Sequence, residues 1–207
     1  MPSLNWIPAW DQAEVEIEED NLVYSGFYQL KRYKLRHRCF SGEWSDWLTR
    51  EQFRRADAAS VLLWDPDKDT IVMVEQFRIG MVGFYPDQSP WLLEIVAGLL
   101  EAGEDPKETV LREAFEEAKC PIKELISIGE FYNSPGGFAE KTYLYAGLVD
   151  STGKEGIHGL AHEHEDIKVH VLPVQMVLDA LETGKLRSSA STVIALYWLK
   201  DKRKQTL

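Results

Sequence analysis

The sequence predicts an α+β fold in two parts: a small antiparallel β-sheet over residues 1–57 and a larger domain over residues 58–207 that combines strands with helices. Two observations predict this division. Short apolar runs fill the first part, partly with the period-two alternation of strands that bury one face. In the second part, apolar β-prone runs accompany one strongly capped amphipathic segment in the middle and two helical segments near the end.

The strands expected in the first part are short. Val15 and Ile17 alternate with acids, two further runs cover residues 26–30 and 33–39, and Ser41-Gly42-Glu43 marks a turn. Three short strands bury little apolar surface by themselves. This sheet is therefore expected to lean on the second domain or on a partner subunit.

The second domain is expected to begin with a β-hairpin. Two apolar runs, residues 58–63 and 70–77, flank Asp65-Pro66-Asp67-Lys68-Asp69, whose residue types favour a turn. Further strands are expected at residues 92–96, 125–131, 142–149 and 167–172, with helices at residues 174–183 and 189–200. The polar segment between the last two strands, residues 151–166, is expected to be a loop that can close over a substrate.

The central helix has legible ends. Asp105 offers a side-chain acceptor at the N-cap, Pro106 loses nothing by lacking an N–H in the first turn, and Glu108 follows three residues after the cap. Pro121 cannot continue the hydrogen-bond ladder and disfavours helical geometry in the residue before it. The helix is therefore expected to end near Lys119.

Carboxylates are concentrated on one side of this helix. At about 100° per residue, an apolar side and an acidic side lie opposite each other. The apolar side, which is expected to pack, consists of Leu111, Ala114, Phe115 and Ala118, and the acidic side consists of Glu113, Glu116 and Glu117. Glu113 and Glu117 repel each other across one turn unless a cation lies between them. Hard oxygen donors without Cys or an obligatory His suit Mg²⁺ or Mn²⁺ better than zinc. The alternative is an ordinary surface helix with a solvated acidic face.

Composition excludes several classes of function. The net charge of −11 argues against non-specific binding of nucleic acid or anionic membranes. Cys39 and Cys120 do not make a disulfide framework. The N-terminus has neither a basic nor an apolar leader segment, and Glu94 interrupts the longest apolar run. A cytoplasmic protein without nucleic-acid or membrane partners is expected.

The spacing of Gly98, Glu104 and the run from Arg112 to Glu117 closely resembles the signature of the Nudix hydrolases, G-x5-E-x7-R-E-U-x-E-E-x-G-U, where U is apolar. Lys119 and Cys120 depart from it, because the family has Gly and an apolar residue there. That substitution questions the geometry of the helix end but not the acidic residues. The resemblance implies an α/β/α sandwich with a mixed β-sheet, plus the small N-terminal antiparallel sheet.

Within this superfamily, the sequence looks like the ADP-ribose pyrophosphatase branch. Supporting stretches occur in order at residues 75–78, 91–98, 134–137 and 163–166, and Pro135 lies fifteen positions beyond Cys120, as the branch requires. The resemblance implies Mg²⁺-dependent hydrolysis of ADP-ribose to AMP and ribose 5-phosphate. Two alternatives stay open: another nucleoside diphosphate sugar such as GDP-mannose as substrate, or a non-catalytic module that binds nucleotide or metal.

The resemblance also implies roles for individual residues. Glu163 would be the general base of the reaction. Two or more Mg²⁺ ions, or Mn²⁺, would be held by the Ala97 carbonyl, Glu113, Glu117 and Glu165, with Glu116 nearby. The substrate would be contacted by Phe27, Tyr28, Arg50, Glu51, Arg55, Arg78, Leu99, Ser134, Pro135, Gly136 and Glu140. Relatives of this branch form homodimers that exchange their N-terminal sheets, so some of these contacts would come from the partner subunit.

Overall fold

The computed structural model describes residues 6–83, 85–160 and 165–206, without the side chains of residues 205 and 206. The chain forms two compact units. The first comprises the described residues up to Arg55 together with Ser134–Glu140, and the second comprises Ala56–Asn133 and the described residues from Lys141 onward. Residues 134–140 therefore belong to the first unit although they lie far along the chain.

The strands are β1 (Val15–Ser25), β2 (Gln29–His37), β3 (Leu48–Arg54), β4 (Ala58–Asp65), β5 (Thr70–Phe77), β6 (Trp91–Glu94), β7 (Val96–Leu99), β8 (Glu124–Tyr132), β9 (Phe138–Ala139), β10 (Lys141–Leu148), β11 (Gly156–His158) and β12 (Ile167–Pro173). The helices are α1 (Pro106–Ala118), α2 (Val174–Glu182) and α3 (Ala190–Thr206). Short 3-10 turns lie at Gln12–Glu14 and Ile79–Met81.

The first unit is built on a sheet whose described strands follow the order β1-β2-β3-β9. The first three strands pair antiparallel, and β9 runs parallel to β3 through Phe53 and Phe138. Strand β1 is an edge strand, and its residues beyond Ile17 are exposed along their whole length. The sequence predicts an antiparallel sheet here, but its strands differ from the expected runs: β1 continues to Ser25, the runs 26–30 and 33–39 both overlap the single strand β2, and the third strand is Leu48–Arg54. Strand β9 is too short to leave a period-two pattern.

The second unit is a sheet with helices on both faces. Its described strands follow the order β11-β12-β5-β4-β10-β8, while β6 pairs with β5 and β7 pairs with β4. Strand β10 runs parallel to β4, and the other described pairs are antiparallel, so the sheet is mixed. Helix α1 packs on one face through Val110, Ala114 and Ala118, and α2 and α3 pack on the other. The predicted α/β/α sandwich is confirmed.

The ends of α1 agree with the predicted boundaries. The Asp105 carboxylate accepts a hydrogen bond from the Lys107 N–H at 2.8 Å, which caps the first turn. At the other end, Lys119 adopts a left-handed conformation with φ of 48°, and the Cys120 N–H donates to the Ala114 carbonyl at 2.9 Å. Lys119 thus adopts the conformation that favours glycine at a helix end, so the substitution leaves the cap intact.

The predicted packing side of α1 is wrong by part of a turn. Leu111 and Phe115 are 46% and 56% exposed, while Ala114 and Ala118 are buried as expected. Glu117 is only 2% exposed, although the sequence places it on the acidic side. The helix is rotated so that a carboxylate enters the protein and two apolar side chains remain at its surface.

None of the helices in the described residues has the length and apolar content needed to span a bilayer.

Candidate active site

The site in the second unit is formed where strand β7 meets helix α1. Ala97 and Gly98 pair with Ser60 and Ala59 of β4, which fixes β7 at this position in the sheet. A Cβ atom on Gly98 would lie 1.9 Å from Oε1 of Glu113. The missing side chain of Gly98 is therefore what allows the Glu113 carboxylate to lie against the strand.

Arg112 links the acidic residues of this region. Its guanidinium donates to Glu113 at 2.7 Å, to Glu116 at 3.0 Å and to Glu104 at 3.1 Å. The hydrogen bond from Arg112 to Glu104, with a further one from the Glu101 N–H, lowers the pKa of Glu104 to about 2. Arg112 therefore links Glu104, Glu113 and Glu116 through charge-assisted hydrogen bonds.

Glu117 is the most deeply placed carboxylate of the cluster. It accepts a long hydrogen bond, 3.4 Å, from the Ala97 N–H. Burial, reinforced by the negative charges of Glu113 and Glu165, raises the pKa of Glu117 to about 8. Burial also raises the pKa of Glu113, although Arg112 opposes the shift. The surroundings therefore disfavour the charged forms of Glu113 and Glu117, and a nearby positive charge would offset that cost.

Glu165 reaches the same cluster from the segment before β12. Its backbone N–H donates to the Leu160 carbonyl at 3.3 Å, and its carboxylate accepts from the Leu160 N–H at 3.2 Å. Its charge acts on both Glu113 and Glu117. Among the predicted metal-binding residues, Ala97 contacts Glu117 through its N–H, and the charge of Glu165 acts on Glu113 and Glu117. The predicted general base Glu163 lies outside the described residues.

A second charged pair borders the cluster. Arg78 donates through Nε to the Glu94 carboxylate at 2.6 Å, and Glu94 is 4% exposed. The charge of Arg78 opposes the rise in the pKa of Glu117, so the guanidinium lies within electrostatic range of the carboxylates. The sequence predicts Arg78 as a substrate contact but misses Glu94. Its signal is a single acid inside an otherwise apolar strand, which requires a buried partner.

The donor set of this site fits a divalent cation. Within residues 6–83, 85–160 and 165–206, no three Asp, Glu, His or Cys side chains converge on one point as they do around a bound ion. Arg112 donates to Glu113 and Glu116, while the Glu117 carboxylate accepts a hydrogen bond from the Ala97 N–H. Carboxylates that are buried and repel one another are hard oxygen donors of the kind that such a cation prefers.

The first unit contains a pocket of about 580 Å³ of its own. It is lined by Tyr28, Glu51, Phe53, Ser134, Gly137 and Phe138. Tyr28, Glu51 and Ser134 are predicted substrate contacts. The other three are missed, although the aromatic residue directly after the Gly136-Gly137 turn is a signal that could have indicated Phe138. Aromatic walls with a few polar groups are typical of small-molecule sites.

Arg55 lies beside this pocket within the same unit. Its guanidinium forms an ion pair with Glu140, whose side chain is 1% exposed. The same guanidinium lies 5.8 Å from the ring centre of Tyr28 and 5.7 Å from that of Phe138. The predicted contacts Arg55 and Glu140 are therefore a buried charged pair that stacks against the aromatic wall.

The remaining predicted substrate contacts occupy varied positions. Phe27 is 73% exposed and meets Tyr28 edge-on at 5.0 Å. Arg50 is exposed and donates to the Thr49 carbonyl of its own strand at 2.9 Å. Pro135 and Gly136 form an exposed turn, and Leu99, in the second unit, offers its carbonyl to Arg112 at 3.5 Å. None of these positions by itself indicates a ligand.

Comparison with known proteins places this geometry in a family. A family model of the NUDIX domain matches residues 54–194. The chain is 42% identical over 195 residues to an ADP-ribose pyrophosphatase of Haemophilus influenzae, which covers 93% of this chain and 89% of the relative. It is 44% identical over 186 residues to an ADP-ribose pyrophosphatase of Escherichia coli strain K12, covering 90% and 88%.

Two further comparisons are more distant. A GDP-mannose pyrophosphatase of Escherichia coli O1:K1 is 32% identical over 148 residues, which covers 72% of this chain and 76% of the relative. The crystal structure of an ADP compounds hydrolase superposes with a TM-score of 0.69 at 18% identity, covering 96% of this chain and 98% of that one. That structural likeness establishes the fold.

Proposed function

This chain belongs to the NUDIX family of hydrolases, and we propose that it hydrolyses the diphosphate of ADP-ribose to AMP and ribose 5-phosphate. The observation that carries the proposal is the match to relatives named ADP-ribose pyrophosphatase, at 42–44% identity over 90% or more of this chain. In the reaction, water attacks one phosphorus, the P–O bond to the bridging oxygen breaks, and the bridging oxygen leaves with the other phosphate.

Magnesium is the proposed cofactor, with Mn²⁺ as a substitute and two or more ions per site. The Ala97 carbonyl, Glu113, Glu117 and Glu165 would hold it, with Glu116 nearby. Bound magnesium supplies neutralisation of the diphosphate and acidification of the attacking water. The buried carboxylate of Glu117, with its raised pKa, supports this assignment, because a cation would relieve the cost of ionising it.

The side chains divide the remaining work. Glu163 would take the proton from the attacking water, a role that positioned bases typically fill with a gain of about 10²–10⁴-fold. Arg78 would stabilise charge spread over the phosphate oxygens, with its guanidinium held at Nε by Glu94. Arg112 would keep the acidic face in place rather than touch the substrate.

The proposal is tested by measuring AMP release from ADP-ribose in Mg²⁺. We expect the wild type to turn over, and Glu117→Gln to lose at least about 100-fold in kcat/KM, because even outer-shell partners of a metal cost 10–100-fold. The matched control is Glu108→Gln, an exposed acid in the first turn of the same helix. Equal rates for wild type and Glu117→Gln would overturn the proposed site.

GDP-mannose is the second candidate substrate, favoured by the 32% identity to a GDP-mannose pyrophosphatase. A panel of ADP-ribose and GDP-mannose at equal concentration decides between them. A higher kcat/KM for GDP-mannose would replace the first assignment. The non-catalytic alternative rests on Lys119 in place of a family Gly. Lys119 adopts the left-handed conformation of a helix end, so this substitution gives no reason to expect a loss of activity.

The N-terminal unit is proposed to form a homodimer by exchange of its sheet with that of a second copy. Edge strand β1 supports this proposal, because it exposes Ile17, Leu22, Val23 and Tyr24 by 47–59%. Unpaired strand edges with apolar side chains are a template for pairing with another chain. A cytoplasmic location is proposed from the use of just two cysteines in the sequence.

A further inference from the structure

The side chain of Gln76, in strand β5, carries a buried hydrogen-bond donor that is not paired in the described part of the chain. Its Nε2 atom is buried and has no hydrogen-bond partner among the described residues, and the residue as a whole is 9% exposed. Most buried polar side chains in proteins are paired, because desolvation without a partner costs free energy. An exception inside a strand therefore requires an explanation.

The sheet register places Gln76 next to the charged residues of the site. Gln76 pairs with Leu92 across β5 and β6, and Val74 pairs with Glu94, so Gln76 and Glu94 point to the same face as diagonal neighbours. Val74 packs with the α1 residues, so this is the α1 face of the sheet. Arg78 follows two residues after Gln76 and binds Glu94.

The two other buried side-chain atoms without a partner lie elsewhere. Among the described residues these are Nε1 of Trp64 and Nε2 of His158. Trp64 packs with the residues under α2 and α3, on the opposite face of the sheet. His158 belongs to the short edge strand β11. Gln76 is the member of the three that combines nine-tenths burial with a position beside the Arg78–Glu94 pair.

The chemistry of an amide suits this position. A Lys or Arg side chain at position 76 would pair with a neighbouring carboxylate, as Arg78 does with Glu94. An amide carries no charge, so its N–H groups can remain available beside carboxylates. The last torsion of a glutamine is broad, so rotation exchanges the places of its oxygen and nitrogen at low cost.

We propose that Gln76 is a further substrate-binding residue, whose side-chain N–H donates a hydrogen bond to a non-bridging oxygen of the substrate diphosphate. This inference rests on the proposed function and adds a residue to it. The unpartnered donor is then a cost of the ligand-free fold that substrate binding removes. A donor kept in place for an anion discriminates strongly against ligands that lack the anion.

The test uses Gln76→Met, which keeps the length of the side chain and removes the donor. The probes are the non-hydrolysable α,β-methylene analogue of ADP-ribose and, as a phosphate-free ligand, adenosine. We expect the variant to bind the analogue about tenfold more weakly, with adenosine binding unchanged. Its Tm in the absence of ligand is expected to stay level or rise by about 2–4 °C, because a buried unpaired group has been removed.

The control is Trp64→Phe, which removes the unpartnered N–H on the opposite face and must leave binding of the analogue unchanged. Unchanged binding of the analogue by Gln76→Met, while the wild type binds and hydrolyses ADP-ribose, would overturn this inference and leave the proposed function intact. If the wild type neither binds the analogue nor hydrolyses ADP-ribose, both fail together.

A second variant, Gln76→Leu, also removes the donor and shows whether an effect of Gln76→Met comes from the methionine side chain itself. If both variants lose their fold, the inference is also overturned, because a donor without a partner contributes nothing to the ligand-free protein. Equal weakening of the analogue and adenosine would contradict it as well, since that pattern reports a general change of shape.

Discussion

The Glu113 carboxylate lies where a side chain on Gly98 would be. A Cβ atom on Gly98 would lie 1.9 Å from Oε1 of Glu113 and 2.2 Å from its carboxyl carbon. The contact joins a strand residue to a helix residue fifteen positions later in the sequence. It explains why the strand before α1 has a residue without a side chain at its third position, Gly98. The position of a proposed metal ligand therefore depends on a missing methyl group.

Gly98→Ala is predicted to displace Glu113 and to lower kcat/KM for ADP-ribose by about 10²-fold, because a shift of about 1 Å at a reacting site has that effect. Stability should fall little, since the overlapping atoms belong to a flexible side chain. Steady-state kinetics and thermal unfolding measure the two effects. Gly80→Ala is the control, because a Cβ there meets nothing within 4 Å. Wild-type kinetics in Gly98→Ala would contradict the prediction.

Binding of Mg²⁺ at pH 7 is predicted to release a proton. With its pKa raised to about 8, Glu117 is about nine-tenths protonated at that pH, and a metal ligand must be ionised. Calorimetric titration in two buffers of different ionisation enthalpy measures the protons released. We expect close to one at pH 7 and few at pH 9. No buffer dependence at pH 7 would contradict the prediction that Glu117 loses a proton when the metal binds.

Without metal, Glu117 is predicted to make the protein less stable as pH rises. Its pKa is about 8 in the folded protein and near the ordinary glutamate value of 4.5 in the unfolded chain, so the folded state holds more protons between these values. The free energy of unfolding must then fall with pH across that window. Glu117→Gln should remove this component of the slope. Urea unfolding of both proteins at pH 5 and pH 8 in EDTA tests it, and parallel slopes would refute it.

Lys119→Gly is predicted to stabilise the protein by about 1 kcal/mol, because a left-handed conformation costs a residue with a Cβ about that much. Lys119 has φ of 48° at the end of α1. Lys119→Ala is the matched variant, since it removes the same side-chain contacts but keeps the Cβ, and it should not stabilise. Denaturant unfolding measures both. An equal effect of Gly and Ala would show that the backbone is unstrained here.

Lysine substitutions on edge strand β1 are predicted to prevent dimer formation. The double substitution Leu22→Lys and Tyr24→Lys places two charges among exposed apolar side chains. We expect wild type to elute as a dimer in size-exclusion chromatography with light scattering, and the variant as a monomer. Asn21→Lys adds charge to the adjacent position, whose side chain points to the other face. A wild type that is monomeric would refute the proposed exchange of sheets.

The sequence predicts the ends of α1 well because both are set by local chemistry. Asp105 and Pro106 fix the start, and the helix finishes at Ala118 as expected. The orientation of the helix is less predictable, since Leu111 and Phe115 are apolar and yet exposed. The helix packs through Val110, Ala114 and Ala118, and Glu117 is buried as well. A carboxylate carries no local signal that it will be buried.

Residues that act through distant pairing escape sequence reasoning for a different reason. Phe138 lies in the pocket of the first unit because β9 pairs with β3, some 85 positions earlier in the chain by register. Glu94 becomes a site residue only through its hydrogen bond with Arg78. Patterns within a window of ten or so residues carry periodicity and turns, but they do not carry such partnerships.

The excursion of Ser134–Glu140 into the first unit has a further consequence. The backbone passes from one unit to the other at three places, after Arg55, Asn133 and Glu140, so neither unit is a contiguous length of polypeptide. Removing the first 55 codons would leave β9 without β3, its neighbour in the ladder. No single cut of the polypeptide separates the two units, so neither can be produced whole as one continuous fragment.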